Sequence, residues 1–312
     1  MQTKQIKPST LEIIKEITRV IKYKFKDIPK YNGDFEEWFH SIQEIELTLK
    51  NHLPTIIADY LPLRKDVWKL AVKEMYGKMP FSKEYVLKNY RKITDEIPYL
   101  FYPSKRPERL IILFTGYINY ESYNRFSWYF DETEKWDSDT AYLFLGDQSL
   151  HWYVGTQSNP QMNIYKKIIM NTLDTLNLSP DKAYSIGASM GGYAAILFAT
   201  ICGLKGAISV HPQLCRKSSE RYHLDNWKRK FSECGSNFID LEDIILKYPY
   251  TPSIYLEVGR HPADEAGLEE FIKSINSKNS LFILKRIDTP QHETKNPSKN
   301  FIEDTIKFFE TQ

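Results

Sequence analysis

Near the middle of the chain, residues 183–192 read AYSIGASMGG. Residues 183–186 are a short apolar run typical of a buried strand, and a longer apolar stretch of helical length begins at Met190. A strand that reverses into a helix within one sharp turn lifts a serine Oγ clear of the sheet. Gly187 and Gly191, two residues before and after Ser189, leave room for that close approach. The pattern therefore predicts a nucleophilic serine at Ser189.

The second half of the chain repeats this alternation of strand and helix. Further strand candidates are residues 99–102, 110–115, 141–145, 207–210, 253–258 and 281–287, with helical patterns at 162–176, 190–202, 265–275 and 301–309. Strands that alternate with helices predict an α/β fold, a mainly parallel sheet covered by helices on both faces. Residues 99–102 and 110–115 flank a turn-rich segment, which predicts a hairpin between them.

Residues 1–98 differ, because their apolar residues recur mainly at three- and four-residue spacing and no chemistry is visible among them. Pro54, Pro62 and Pro80 punctuate the helices that this spacing predicts. We therefore expect a mostly helical N-terminal addition at residues 1–98, followed by a catalytic domain at residues 99–312. Residues 213–252 are a long insertion between two of the strand candidates.

Together, the G-x-S-x-G turn and its strand–turn–helix setting resemble the α/β-hydrolase superfamily, and the continuation from Ser189 resembles many of its esterases. The resemblance covers residues 99–312 and implies the chain order nucleophile, acid, histidine. His292 lies just after the last predicted strand and is the expected base. The other six histidines fit less well: His211 and His261, for example, follow earlier strands.

The triad acid is expected after the penultimate strand, residues 253–258. Asp264 follows that strand and would hold His292 in the tautomer that accepts the serine proton. Capping of the next predicted helix is the alternative role for Asp264. Glu265 and Asp288 are the alternative acids.

The resemblance also implies an oxyanion hole. The Met190 N–H is one expected donor, and the other is expected from Tyr117 or Ile118, in the loop after residues 110–115. The His-Gly-Gly-Gly motif of lipases is absent, and Thr115-Gly-Tyr117 stands in its place.

The same loop is rich in aromatic residues that are candidates for substrate binding. Tyr120 and Trp128, together with Trp152 after the next strand, are expected to stack on a sugar or an acyl-aryl group. The alternative is that these rings pack the first helix against the sheet. The resemblance also implies a cap in the insertion at residues 213–252. This predicted cap is basic, which favours a solvated helix face or, alternatively, a site for an anionic acyl donor or glycan. Its basic residues are Arg216, Lys217, Arg221, Lys228, Arg229 and Lys230.

Composition excludes several other classes of protein. The net charge of +2 demands no polyanionic partner, and 42% hydrophobic with 26% charged residues excludes intrinsic disorder. Cys202, Cys215 and Cys234 lack C-x-x-C spacing, so they support neither a disulfide framework nor a zinc ribbon. No signal peptide, membrane span or nucleic-acid motif is visible, which predicts a cytoplasmic protein without a nucleic-acid partner.

These residues predict a serine esterase that needs no metal and no organic cofactor, acting on a small-molecule or carbohydrate ester. One alternative is an O-acyltransferase that moves an acyl group, with acyl-CoA as the donor, onto a carbohydrate hydroxyl. Another is a non-catalytic binding module on the same fold. The sequence contains no pattern from which an oligomeric state can be predicted.

Overall fold

The computed structural model describes residues 83–119, 121, 139–222, 225–292 and 297–311. The chain divides into two compact units, residues 1–89 with 127–135 and residues 90–126 with 136–312. In the first unit the description is limited to residues 83–89, which belong to helix α1 (Lys83–Tyr90). The N-terminal helical addition lies almost entirely outside the described residues and stays a prediction.

The second unit is built on a twisted sheet whose strands are mostly parallel. Its order is β1-β2-β4-β3-β7-β8-β9-β10, and a separate small sheet pairs β5 with β6. In the main sheet, β1 pairs with β2 and β2 pairs with β4 in antiparallel fashion. The remaining pairings of that sheet, from β4 across to β10, are all parallel. The strands are β1 (Arg91–Thr94), β2 (Ile97–Tyr102), β3 (Arg109–Phe114), β4 (Thr140–Leu145), β5 (Gly155–Thr156), β6 (Asn159–Pro160), β7 (Ala183–Ala188), β8 (Gly206–Val210), β9 (Ser253–Val258) and β10 (Phe282–Arg286).

Helices cover both faces of this sheet, as predicted. The Ser185 hydroxyl donates to the Ala195 carbonyl of one helix, whereas the Tyr184 hydroxyl donates to Glu310 of another. Because consecutive side chains of a strand point to opposite faces, these two helices lie on opposite faces. The helices of this unit are α2 (Met162–Leu176), α3 (Met190–Cys202), α4 (Lys217–Arg221), α5 (Asp225–Cys234), α6 (Leu241–Lys247), α7 (Pro262–Glu265), α8 (Leu268–Asn276) and α9 (Lys299–Glu310).

The hairpin predicted between residues 99–102 and 110–115 is wrong. β4 lies between β2 and β3, antiparallel to the first and parallel to the second. A turn-rich sequence predicts that the chain reverses locally. It does not predict that a third strand, here β4, will lie between the two strands that the turn joins. A hairpin does form between β1 and β2, whose turn residues Asp95 and Glu96 have φ of 46° and 67°. The sheet therefore begins at Arg91 rather than at residue 99.

Helix α3 anchors the core behind the predicted nucleophile. All of its residues are buried, which explains why its sequence is apolar on every side rather than along one stripe. Because the strands from β3 to β10 in the main sheet are parallel, their carboxyl ends meet at one edge, where the predicted site residues fall. None of the described helices is both long and apolar enough to span a membrane.

Candidate active site

Ser189 sits on a strained turn between β7 and α3. Its φ of 55° and ψ of −124° lie in a region that non-glycine residues rarely adopt. A Cβ at Gly187 would lie 2.0 Å from the Gly191 carbonyl oxygen, and a Cβ at Gly191 would lie 2.5 Å from the Phe114 carbonyl oxygen. Both glycines are therefore sterically required, as the G-x-S-x-G pattern predicted. The Ser189 N–H donates to the Val210 carbonyl at 2.8 Å, which holds the strained turn against β8.

The structure brings the three predicted triad residues together. The Ser189 Oγ lies 2.9 Å from the His292 Nε2, and the His292 Nδ1 lies 2.5 Å from the Asp264 Oδ1. The side chains of Ser189 and His292 are almost fully covered, and Asp264 is fully buried. Since a carboxylate only accepts, the imidazole proton is on Nδ1 and Nε2 is free to accept the serine proton.

Asp264, and neither of the alternative acids, faces His292. Glu265 pairs with Arg286 at 2.7 Å, and the exposed Asp288 pairs with Arg260 at 3.1 Å. Burial acts to raise the pKa of Asp264, but hydrogen bonds from His211 and His292 outweigh it and hold that pKa below its ordinary value. Capping is not its role, because Asp264 lies inside α7 and the next helix, α8, is capped by Gly267.

His211, which sequence reasoning set aside, occupies the other side of the same carboxylate. Its Nδ1 lies 2.7 Å from the Asp264 Oδ2, and its ring is fully buried at the end of β8. The signal that could have found it is its position directly after a central strand, because the carboxyl ends of parallel strands share one edge. The ligand atoms of His211, Asp264 and His292 lie within 4.8 Å of one another. Both imidazole Nδ1 atoms face the carboxylate at hydrogen-bonding distance, so hydrogen bonds among the three side chains account for their close approach.

Gln213 is a second residue that the sequence did not indicate. The indole Nε1–H of Trp152, which can only donate, lies 2.8 Å from the Gln213 Oε1 and so fixes the orientation of the amide. The Gln213 Nε2 then donates to the Ser189 Oγ at 3.3 Å. Ser189 therefore accepts from Gln213 and directs its own proton toward His292.

The loop that carries Trp152 is held by one buried carboxylate. Asp147 accepts from the N–H groups of Ser149, His151 and Tyr153, at 2.9, 2.7 and 2.9 Å. These bonds stabilise the positive φ angles of Trp152 (54°) and Tyr153 (64°), which would otherwise be unfavourable. Trp152 is thus placed beneath the site with its ring fully buried.

The expected oxyanion donors lie on either side of Ser189. Met190 begins α3, so its N–H belongs to the first turn of the helix and has no intrahelical partner. The Ile118 N–H is already used, because it donates to the Gly116 carbonyl at 2.8 Å. Tyr117 is therefore the remaining candidate from its loop.

Of the three aromatic rings predicted to stack on the substrate, the structure describes one, that of Trp152. Tyr120 and Trp128 lie outside the described residues. The stacking role predicted for Trp152 is wrong for this conformation, because a fully buried ring offers no face to a ligand. Instead Trp227 and Tyr222 lie against His292, with ring centroids 5.5 and 5.4 Å from that of its imidazole.

Three of the six basic residues of the predicted cap make contacts within the insertion itself. The Arg216 guanidinium donates to the carbonyls of Phe231, Gly235 and Phe238, so it ties the insertion together. Arg229 and Lys230 both face Glu233, at 3.6 and 3.2 Å. These contacts favour the solvated or structural interpretation over a site for an anionic ligand.

Comparison with known proteins yields structural likenesses alone. No protein-family model matches the chain, and no curated protein matches it. The chain is similar to the capsule O-acetyltransferase of Neisseria meningitidis serogroup A, at 17% identity and a TM-score of 0.51, over 71% of this chain and 92% of that one. It is also similar to FphF, a fluorophosphonate-binding serine hydrolase of Staphylococcus aureus, at 13% identity and 0.50, over 71% and 95%. An acylaminoacyl peptidase matches at 14% identity and 0.50, over 71% and 40%. The chain therefore has the α/β-hydrolase fold, and that prediction is confirmed.

Proposed function

We propose that this protein is a serine esterase in which Ser189 is the nucleophile, His292 the general base and Asp264 the residue that orients it. The observation that carries the proposal is the continuous chain of hydrogen bonds from Ser189 through His292 to Asp264, beginning on a strained strand–helix turn. Such a chain combines a nucleophile on a strained turn with a base of defined tautomer. A binding module needs neither.

The geometry supports a two-step reaction. As the Ser189 Oγ bonds to the ester carbon, its proton passes to the His292 Nε2, 2.9 Å away, and the carbonyl oxygen becomes an oxyanion. The N–H groups of Met190 and Tyr117 are the proposed donors to that oxyanion. Collapse breaks the bond to the alcohol, which leaves with the proton from His292.

Deacylation uses the same groups in reverse. Water attacks the acyl carbon, its proton passes to His292, and His292 returns a proton to the Ser189 Oγ as the acid leaves. Asp264 stabilises the imidazolium formed in each step without itself taking up a proton. The buried carboxylate with its lowered pKa stays ionised through the cycle.

An O-acyltransferase acting on a carbohydrate hydroxyl is the second candidate. The observation that favours it is the shared fold with the capsule O-acetyltransferase over most of that enzyme, which has also been solved in complex with CoA. The acyl-enzyme would be the same, and an acceptor hydroxyl would replace water. Acyl-CoA is the proposed donor in that case. The nearly complete covering of Ser189 and His292 would favour a bound acceptor over bulk water.

A fluorophosphonate probe tests the proposal directly. We expect intact mass spectrometry to show one adduct per chain, located at Ser189, and no adduct on Ser189→Ala. Labelling of Ser189→Ala to the same extent would move the nucleophile elsewhere. Failure of the folded wild-type protein to react would favour the binding module.

Hydrolysis and transfer are separated by the acceptor. The wild-type protein is incubated with short aryl esters, and then with acetyl-CoA in the presence and absence of a polysaccharide acceptor. Faster release of CoA with the acceptor, together with acetylated polysaccharide, would identify a transferase. Ester turnover that is independent of an acceptor would identify the esterase.

A further inference from the structure

The carboxylate of Asp264 is shared between two histidines. Its Oδ1 faces the His292 Nδ1, and its Oδ2 faces the His211 Nδ1 at 2.7 Å. His211 and Asp264 are both fully buried, so this contact is shielded from water and from salt. A charge-assisted hydrogen bond in such a setting is stronger than one at a surface.

His211 has a strained backbone conformation. Its φ of 46° is left-handed, which a residue with a β-carbon rarely adopts without a compensating contact. A Cβ at Gly259 would lie 2.9 Å from the His211 Cε1, so a glycine is needed where the ring passes. The His211 N–H donates to the Glu257 carbonyl at 2.7 Å and ties the residue to β9.

We propose that His211 is a positioning residue that extends the triad to a chain of four hydrogen-bonded residues, Ser189–His292–Asp264–His211. The inference rests on the proposed serine mechanism. By donating Nδ1–H to the Asp264 Oδ2, His211 holds the plane of the carboxylate so that Oδ1 stays aligned with His292. It also draws charge from the carboxylate, which limits how tightly Asp264 retains the proton of His292.

The charged and titratable groups around His211 are few. Asp264 contacts it from α7, and His292 lies beyond Asp264, with ring centroids 6.1 Å apart. From β9, the Glu257 Oε1 lies 4.0 Å from the His211 Nε2, and Glu257 is itself paired with Lys285 at 2.9 Å. Among the described residues, the His211 Nε2 has no hydrogen-bond partner. Nδ1 is therefore the nitrogen through which His211 acts.

Two substitutions distinguish the hydrogen-bond donor of the His211 side chain from the strained backbone conformation of this residue. His211→Asn keeps a short amide donor, and His211→Gly removes it, while both residues tolerate a positive φ. The readout is the second-order rate of fluorophosphonate labelling of Ser189 from pH 5 to 9, with the melting temperature of each variant measured alongside. Should His211→Gly fail to fold, His211→Leu replaces it, because leucine matches asparagine in shape without a donor.

We expect the donor-less variant to label about tenfold more slowly or worse, since small misplacements of a catalytic group have effects of that size or larger. The acid limb of its pH profile should move to higher pH, because a carboxylate with one donor fewer attracts the His292 proton more strongly. His211→Asn should stay within about threefold of wild type, with the wild-type profile. In an Asp264→Asn background, removing His211 should have little further effect.

Equal losses in His211→Asn and the donor-less variant would overturn the inference, since packing alone would then explain them. So would a donor-less variant with the wild-type rate and pH profile, or an effect undiminished in the Asp264→Asn background. Failure of the wild-type protein to label at all would instead overturn the proposed serine mechanism. The two failures are therefore distinguishable.

Discussion

The two sides of the candidate site are built in different ways. On the elbow side, which is the strand–helix turn between β7 and α3, Ser189 and its sterically required glycines lie within residues 187–192. On the base side, His292 is 103 residues from Ser189 along the chain, and Asp264 and His211 come from the ends of two further strands. The elbow side is therefore formed by one local sequence motif, whereas the base side is formed by distant residues that the order of the strands brings together.

The difference determines how each side responds to mutation. The elbow depends on backbone contacts that leave no room for a methyl group, so its failures are steric. The base side depends on directed hydrogen bonds between buried polar groups, so its failures concern protonation and alignment. Each substitution below acts on one side.

Removal of the nucleophile should have the largest effect. We expect Ser189→Ala to lower kcat by up to about 10⁶-fold, as in the subtilisin triad, because no other group takes over the attack. The melting temperature should change little, since the serine side chain contributes few packing contacts. Ester turnover and thermal unfolding measured on the same preparation check this. Substantial residual turnover would place the nucleophile elsewhere.

Asp264→Asn tests the base side at its centre. An amide leaves the geometry nearly unchanged but favours the wrong imidazole tautomer, which costs about 10⁴-fold in kcat in serine proteases. Asp288→Asn is the matched control, because Asp288 is exposed and pairs with Arg260 away from His292. We expect the control to be mild in the same assay. The opposite ranking would return the acid to Asp288.

Gly187→Ala tests the elbow side without touching a reacting group. Its Cβ would lie 2.0 Å from the Gly191 carbonyl oxygen, so backbone must move, at an expected cost of about 3 kcal/mol or more in unfolding free energy. Gly203→Ala is the control, since its φ of 70° is strained but nothing lies within 4 Å of a Cβ there. It should lose only about 1 kcal/mol. Denaturant unfolding of both variants compares the two, and equal losses would contradict the steric account.

Gln213→Glu changes one donor into an acceptor at constant size. The Trp152 Nε1 can still donate to a carboxylate oxygen, but the second oxygen then competes with His292 for the Ser189 proton. We expect labelling to slow by about tenfold. Trp152→Phe, which removes the bond that orients the amide but leaves the Gln213 donor in place, should slow it less. A rate for Gln213→Glu at the wild-type level would remove Gln213 from the site.

The smallest effect concerns stability at low pH. Because the pKa of Asp264 is lowered in the folded state, its carboxylate contributes stability above its ordinary pKa and loses it as pH falls through the folded value. The unfolding free energy of wild type should therefore fall more steeply below about pH 4 than that of Asp264→Asn. Parallel denaturant titrations at pH 7 and pH 3 measure the difference. Identical pH slopes would show that Asp264 is not stabilised as an anion.

Much of the fold could be predicted from local pattern. The strand 253–258 and the helices 162–176 and 190–202 lie where the apolar runs indicated. The insertion of β4 between β2 and β3 could not be predicted, because turn chemistry is local and β4 comes from a later part of the chain. For the same reason, the sequence predicts a substrate-stacking role for Trp152, whereas the loop held by Asp147 buries its ring.

The sequence by itself determined the elbow, the α/β alternation and the candidates Ser189, Asp264 and His292. It could do so because glycine spacing, strand length and chain order are constraints between near neighbours or between successive elements. Only the tertiary structure decided that Asp264 rather than Glu265 or Asp288 faces His292, and that His211 and Gln213 join the site. Those contacts depend on which strand ends lie side by side and on where each buried polar group finds its partner, and one-dimensional pattern carries neither.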